Sequence, residues 1–434
     1  MTCPLAGPES ESVGFVFFQE LESIFLNSKL KSSNRQSIMD ASPDFELCLC
    51  GAYKAVTENI SSDAISKKQY KKSFLHVAAT NDMMPFSRLE QFQKQFKGDI
   101  NPRNKCGCTP LHNAALFGHF EICKFILMNA EEKNPANDLG ETPLHHSARK
   151  GYLSTCKVMM RFVTDKSPRN DRGATPLHKA ALYSHLDVYK LLLKNCNDPN
   201  PRDNTGATPI HYAASEGLLM VCWFMMKNLK DKNPKDDDGL TPLHAAALHG
   251  HHLVAEMILR YVTEKNPPCS EMATPLHKAA EKGHLKVIQI IAKHVKDLSP
   301  KDEIGETPLH WAIEAGHLEI VKFLIDRTNV KNPKNQYGQT PLHIAAALGH
   351  LAIFELIAEK VRDVNPKDVN WSTPLHFAAK AGRVAICTLI IKRIGIGNSY
   401  SKDKRGNTPL DYADGHRSIC RLFEKKKVVS KTIS

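Results

Sequence analysis

Histidine and cysteine, the side chains that most often bind metals or act as nucleophiles, are frequent here, with 21 histidines and 12 cysteines among 434 residues. Imidazole and thiolate bind zinc, and a cysteine beside a histidine is a common catalytic pair. Neither Cys48-x-Cys50 nor Cys106-x-Cys108 is followed by a second Cys/His pair at zinc-finger spacing. The sequence also contains no phosphate-binding loop, dinucleotide fingerprint or His-Glu-x-x-His motif. These patterns predict no catalytic, metal or cofactor site.

A repeat accounts for most of the histidines. Thr-Pro-Leu-His, once Thr-Pro-Ile-His, recurs every 33 residues, and we number the repeats 1 to 9 by their threonines: Thr109, Thr142, Thr175, Thr208, Thr241, Thr274, Thr307, Thr340 and Thr373. Degenerate copies begin at Ser73 and Thr408. With the threonine as offset 0, ten histidines lie at offset 3 and six at offset 10. We therefore expect these imidazoles to tie together backbone groups of adjacent loops.

Cysteine follows the same register. Four cysteines occupy offset 14, where other repeats have isoleucine, valine or phenylalanine: Cys123, Cys156, Cys222 and Cys387. A free cysteine in such a place behaves as a small apolar side chain. We expect these four thiols in the core.

Each repeat predicts two helices and a turn-rich loop. Threonine is a good N-cap, and proline suits the first helical position. Glycine at offset 9, as in Gly118 and Gly250, ends the first helix, and apolar residues at offsets 13, 14, 16 and 17 have helical spacing. Proline and glycine in loops such as 233–239 exclude helix there. Since one such unit cannot bury its apolar faces alone, the units must stack.

The pattern Thr-Pro-Leu-His-x-Ala-Ala-x-x-Gly-His resembles the ankyrin repeat over about residues 70–423. The resemblance implies an all-α solenoid of stacked helix-turn-helix units, with hairpin-like loops projecting as fingers and the first helices lining a concave face. We expect four parts: a variable, mobile segment 1–42, in which 15–26 can dock as a helix; a cap and degenerate repeat in 43–102; nine regular repeats in 103–399; and a truncated capping repeat with a basic tail in 400–434.

Variable positions are the candidates for partner binding. Offsets 7 and 8 differ between repeats and, by the resemblance, face the concave groove, where aromatic and arginine side chains favour binding. The candidates there are Phe117, Arg149, Lys150, Leu182, Tyr183 and His249. At the finger tips, Met272 and Trp371 replace a turn glycine, so we expect the Trp371 tip to bend differently; Trp371 and Tyr337 form a second candidate anchor. The alternative for the offset 7 and 8 residues is packing between repeats.

The net positive charge of the sequence is compatible with a second class of function. Lysine and arginine exceed aspartate and glutamate by 58 − 46 = +12. Basic loops and the tail 425–427 predict, as the alternative, an electrostatic tether to an anionic membrane surface or a nucleic acid. Interleaved acids and the lack of stacking aromatics disfavour nucleic acid. A third possibility, a ubiquitin-ligase substrate receptor, needs a recruitment box within 1–42.

Together these observations predict a non-enzymatic scaffold or adaptor for a protein partner, without cofactors and monomeric. No apolar run is long enough to cross a bilayer. The N-terminus has no secretory pattern and the cysteine spacing is irregular, which predicts reduced thiols and a cytoplasmic or nuclear location.

Overall fold

The computed structural model describes residues 76, 79, 80 and 99–423. The predictions for segment 1–42 and its helix 15–26, for most of the cap in 43–102 and for the tail 425–427 lie outside these residues.

Every regular repeat forms two helices. The first helices are α1 Pro110–Phe117, α3 Pro143–Lys150, α5 Pro176–Leu182, α7 Pro209–Ser215, α9 Pro242–Leu248, α11 Pro275–Glu281, α13 Pro308–Glu314, α15 Pro341–Leu348 and α17 Pro374–Lys380. The second helices are α2 Phe120–Asn129, α4 Leu153–Phe162, α6 Leu186–Asn195, α8 Leu219–Asn228, α10 His252–Tyr261, α12 Leu285–Ile291, α14 Leu318–Arg327, α16 Leu351–Lys360 and α18 Val384–Ile394. Within 99–423 no strand occurs, which confirms the all-α repeat solenoid.

Each first helix begins at the threonine because three residues cooperate there. The threonine is extended, with φ between −97° and −115°, and the following proline takes the first helical position. The threonine N–H donates to Nδ1 of the offset 3 histidine, at 3.0 Å for Thr142 and His145. Histidine thus does here what glutamate does in a common capping box.

First helices end at offset 9 with a left-handed residue. Gly151 has φ 77°, and a Cβ on it would lie 2.3 Å from Nδ1 of His185 in the next repeat. Glycine is therefore required at position 151 for two reasons: its backbone conformation and the close approach of the next repeat. In repeat 3, Ser184 takes the same conformation with φ 63°.

The core is one continuous layer between repeats. First helices pack against first helices and second helices against second helices of the neighbouring repeats. The alanine pairs at offsets 5 and 6, such as Ala279 and Ala280, are fully buried and permit this close packing. Since each repeat contacts its neighbours, stability is distributed along the stack.

The fingers are joined into a continuous edge. In every described finger except that of repeat 6, where Cys269 takes the position, an Asn or Asp five residues before the threonine accepts two backbone N–H groups of its own finger. Asn170, for example, accepts from Arg172 and Ala174 at 3.1 and 2.9 Å. Neighbouring tips are also linked by one backbone hydrogen bond, for example from Val369 N–H to the Tyr337 carbonyl at 3.0 Å. These bonds fix the position of each tip relative to the next.

The C-terminal copy is truncated. A 3-10 turn at Asp411–Ala413 replaces the first helix, another at Gly397–Tyr400 lies in the loop after α18, and residues 417–423 form the short second helix that the sequence predicts. Asp411 takes the place of the capping histidine and accepts the Thr408 N–H at 2.7 Å. Within the described part of the chain, no helix has the length and apolar character needed to cross a bilayer.

Candidate partner-binding surfaces

The offset 3 histidines join successive repeats. His145 accepts the threonine N–H at Nδ1, so its Nε2 carries the proton and donates to the Ala174 carbonyl of the next finger at 3.0 Å. Burial lowers the pKa of His145, His178 and His277 to about 4. These imidazoles are neutral, and they bridge adjacent loops as the sequence predicts.

The offset 10 histidines act differently from the prediction. His185, His251 and His284 donate to carbonyls at the end of the preceding repeat's first helix, Arg149, Ser215 and Leu248, at 2.9, 2.8 and 3.1 Å. The prediction of loop-to-loop contacts is therefore wrong for these three histidines, because stacking places the ring over a helix end that lacks hydrogen-bond donors. In the described ranges, no three His, Cys, Asp or Glu side chains are grouped so that they could hold a metal ion.

The offset 14 cysteines are core residues, as predicted. Cys123, Cys156, Cys222 and Cys387 are completely buried. Burial raises the pKa of Cys156, Cys222 and Cys387 to about 12, so their reactive thiolate form is scarce at neutral pH.

We expect these four thiols to resist alkylation in the folded protein. A pKa near 12 lowers the thiolate fraction about a thousandfold relative to a free cysteine. Peptide mass spectrometry after brief iodoacetamide treatment at pH 8 should find label on half-buried Cys106 well before Cys156 or Cys222, and on all three after unfolding in urea. Label on native Cys222 as fast as on Cys106 would contradict this packing.

The candidates at offsets 7 and 8 differ in exposure. Tyr183 is 43% exposed, and Lys150 and His249 are also exposed. Phe117 and Leu182 are half-buried. The structure thus places these five at the ends of the first helices of repeats 1, 2, 3 and 5, with their side chains at least partly accessible.

Arg149, by contrast, is engaged within the protein. Its Nη2 donates to both carboxylate oxygens of Glu141 at 2.9 and 3.0 Å, and its guanidinium lies 6.0 Å from the Tyr183 ring centre. Lys179 Nζ lies 2.5 Å from the same carboxylate, and His146 Nε2 lies 3.5 Å from it. Arg149 and Lys179 therefore hold a buried glutamate, and Arg149 also lies within cation–π distance of the Tyr183 ring.

Charge balance sets the ionisation of Glu141. Burial raises its pKa, but the charges of Arg149 and Lys179 outweigh burial and lower the pKa to about 2. Sequence reasoning missed Glu141 and Lys179. A signal for this cluster was present in the sequence. Glutamate stands at offset −1 only at Glu141 and Glu306, and only Glu141 is followed by a lysine, Lys179, at offset 4 of the next repeat.

Glu306 occupies the same register without the cations. Its carboxylate accepts from Asn335 Nδ2 at 3.0 Å, but Glu314 and Ile344 stand where repeats 2 and 3 have Arg149 and Lys179. Burial raises its pKa. Two glutamates at equivalent positions therefore shift in opposite directions.

The second candidate anchor lies at the finger tips. Tyr337 is 50% and Trp371 53% exposed. The prediction that the Trp371 tip bends differently is wrong: Trp371 has φ 62° and Met272 φ 60°, the conformation of the tip glycines. The inter-finger hydrogen bonds and the bond from Trp371 N–H to the Asp368 carbonyl hold this backbone in place. Ile304 and Val369, also exposed at tips, were not predicted.

Comparison with known families agrees with this architecture. A family model described as ankyrin repeats (3 copies) matches residues 47–134, 75–167, 161–236, 219–302 and 293–370, and a model described as ankyrin repeat matches 370–404. A search of the curated proteins found no match. Matches over well more than half of the sequence, together with the stacked helix pairs, place this chain in the ankyrin-repeat family.

Proposed function

We propose that the protein is a non-enzymatic scaffold or adaptor that binds a protein partner through its concave face and finger loops. Ankyrin repeats are generally protein–protein interaction modules, and neither matching model is a catalytic family. The observation that carries the proposal is the set of accessible side chains at the first-helix ends of repeats 1, 2, 3 and 5. We call this set, which comprises Phe117, Lys150, Leu182, Tyr183 and His249, the helix-end patch.

The helix-end patch is preformed. Tyr183 lies over Arg149, which the Glu141 carboxylate fixes, and His249 stacks on His251 with ring centres 6.3 Å apart. A partner that binds side chains already held in place avoids much of the entropy cost of ordering them. We further propose that the scaffold acts as a monomer in the cytoplasm or nucleus.

We expect the double variant Tyr183→Ala/His249→Ala to lose partner binding while remaining folded. Central aromatic contacts in interfaces contribute about 2 kcal/mol or more, so capture should fall at least about tenfold. The measurement is quantitative mass spectrometry of proteins retained by the immobilised chain. Arg149 is left intact because its removal would take away one of the two cations that hold the buried Glu141 carboxylate.

The matched control is Met220→Ala/Leu253→Ala. These side chains are 61% and 55% exposed, but on the second helices α8 and α10. Equal capture by wild type and control, with loss only in the helix-end variant, supports the proposal. Recovery of the same proteins at the same level by both double variants would place the interface elsewhere.

A further inference from the structure

Exposed apolar side chains occupy four consecutive finger tips. They are Met272 at 50%, Ile304 at 37%, Tyr337 at 50%, and Val369 and Trp371 at 47% and 53% exposure. We call these five residues the fingertip ridge. The tips of repeats 3 to 5 instead carry Arg172, Thr205 and Asp238, so the ridge is confined to repeats 6 to 9. Such a concentration of exposed apolar side chains marks an interaction surface.

Two ridge residues are held in a strained conformation. Met272 and Trp371 have φ 60° and 62°, where the neighbouring fingers have Gly305 and Gly338 at 78° and 70°. Residues other than glycine are disfavoured in this region, and about half of each of these two side chains remains exposed. The strained backbone thus presents two large apolar side chains to solvent, where a contact outside the protein can bury them.

The ridge is flanked by cations at its C-terminal end. The exposed basic side chains of the tips in repeats 8 and 9 and the C-terminal copy are Lys334, Lys367, Lys404 and Arg405. Within residues 99–423 none of these four forms an ion pair with a carboxylate. The acids of the same tips, Asp368 and Asp403, are buried and accept finger N–H groups at 2.8 to 2.9 Å. This end therefore carries net positive charge, with its cations exposed and its carboxylates buried.

Because the ridge projects from the protein, its shape favours a flat, deformable binding surface over a concave one. The five ridge side chains stand at the tips of four fingers, with Val369 and Trp371 on the same one. Hydrogen bonds between tips, such as Gln336 N–H to the Ile304 carbonyl at 2.9 Å, align the tips along one edge. A peptide needs walls that cover its apolar groups, and a projecting edge has none. A bilayer interface instead accepts tryptophan, tyrosine and aliphatic groups from one side, while anionic headgroups attract the adjoining lysines.

We infer that the fingertip ridge inserts into the interface of an anionic membrane. Lys367, whose Nζ lies 5.3 Å from the Trp371 ring centre, stays at headgroup level while the indole enters the interface. Glu271 and Glu303 lie beside the ridge in repeats 6 and 7, so the tips of repeats 8 and 9 approach the anionic surface first. The inference goes beyond the proposed scaffold function, because it assigns the finger tips of repeats 6 to 9 to a lipid surface, whereas the test of the scaffold concerns the helix-end patch.

The test is co-sedimentation of the purified full chain with phosphatidylcholine vesicles that contain or lack about 30% phosphatidylserine. We expect binding to the anionic vesicles and at least about tenfold weaker binding to neutral ones, because several lysines contribute about fivefold each. In a Trp223→Phe/Trp311→Phe background, Trp371 emission should shift to the blue with anionic vesicles and be quenched by brominated lipid. No protein partner is present, so failure here leaves the scaffold proposal untouched.

Trp371→Gly is the sharpest variant because it restores the residue that most other fingers have. Its melting temperature should be unchanged or higher, while vesicle binding falls about tenfold through loss of the indole. Tyr337→Ser should also weaken binding, whereas Leu139→Ser, at the same register in repeat 2 and 49% exposed, should leave it unchanged.

Four outcomes would overturn the inference. Trp371→Gly and Tyr337→Ser could bind anionic vesicles as wild type does, or Leu139→Ser could lower binding as much as they do. Alternatively, light scattering could show a dimer that Trp371→Gly dissociates, or an acidic peptide could shift Trp371 emission where vesicles do not. The last two results would assign the ridge to a second copy of the chain or to an acidic protein.

Discussion

Acidification from pH 7 to about 4.5 is expected to unfold the repeat stack cooperatively, because nine offset 3 histidines must remain neutral in the folded state. Nδ1 of each accepts a threonine N–H, and a proton there would face that donor. Burial lowers the pKa of every one, to about 4 for His310 and His343 and to about 3 for His244.

The direction follows from the lowered pKa. An unfolded histidine takes up a proton near pH 6.5, whereas the folded one does so only near pH 4, so between these values the unfolded chain binds more protons. The stabilising contribution is complete above pH 6.5 and is lost as the pH falls toward 4. Each histidine contributes a slope of about 1.4 kcal/mol per pH unit. Summed over a few histidines and the pH range from 6.5 to 4, the loss in free energy of unfolding is as large as the roughly 5–15 kcal/mol by which a folded protein is stable.

Circular dichroism at 222 nm and urea unfolding at several pH values measure this effect. The free energy of unfolding should change little between pH 7 and 9 and fall steeply below 6.5, with uptake of several protons. The C-terminal copy is an internal comparison, because Asp411 replaces its histidine and hydrogen bonds from Thr408 lower the Asp411 pKa. Full helicity at pH 4 with unchanged urea resistance would show that the histidines are not held neutral.

The second large effect is expected from Glu141→Gln. The amide keeps the shape of the side chain but leaves Arg149 and Lys179 without their common carboxylate, and both are largely buried, at 16% and 15% side-chain exposure. Removing one member of a buried charge cluster costs about 3–5 kcal/mol. Urea unfolding at pH 7 should show a loss of about 3 kcal/mol in the cooperative unit that contains repeats 2 and 3.

Glu306→Gln is the matched control. It makes the same change at the same register, but there burial raises the carboxyl pKa and no cation compensates the charge. Its effect on the free energy of unfolding should lie within about 0.5 kcal/mol. Equal losses for the two variants would mean that position in the repeat, and not the surrounding cations, decides the energy.

Much of the fold is predictable because the repeat is local and periodic. The capping threonine, the helix-ending glycine and the core cysteine at offset 14 each act within their own repeat or on its nearest neighbour. The helix-end and fingertip candidates could be predicted as variable positions for the same reason. The sequence could not predict which of these side chains are free to bind a partner. Arg149, for example, stands at one of the variable positions, but its charge is paired with Glu141.

The 33-residue period and its resemblance to the ankyrin repeat therefore determined the helix pairs, their stacking, the fingers and the bridging role of the offset 3 histidines. Only the tertiary structure decided which side chains stay accessible: it pairs Arg149 with Glu141 and Lys179, points the offset 10 histidines at helix ends, and keeps Trp371 in a glycine conformation. The physical reason is that helix formation and capping depend on neighbours along the chain. Charge pairing and backbone strain depend instead on groups that stacking brings together from separate repeats.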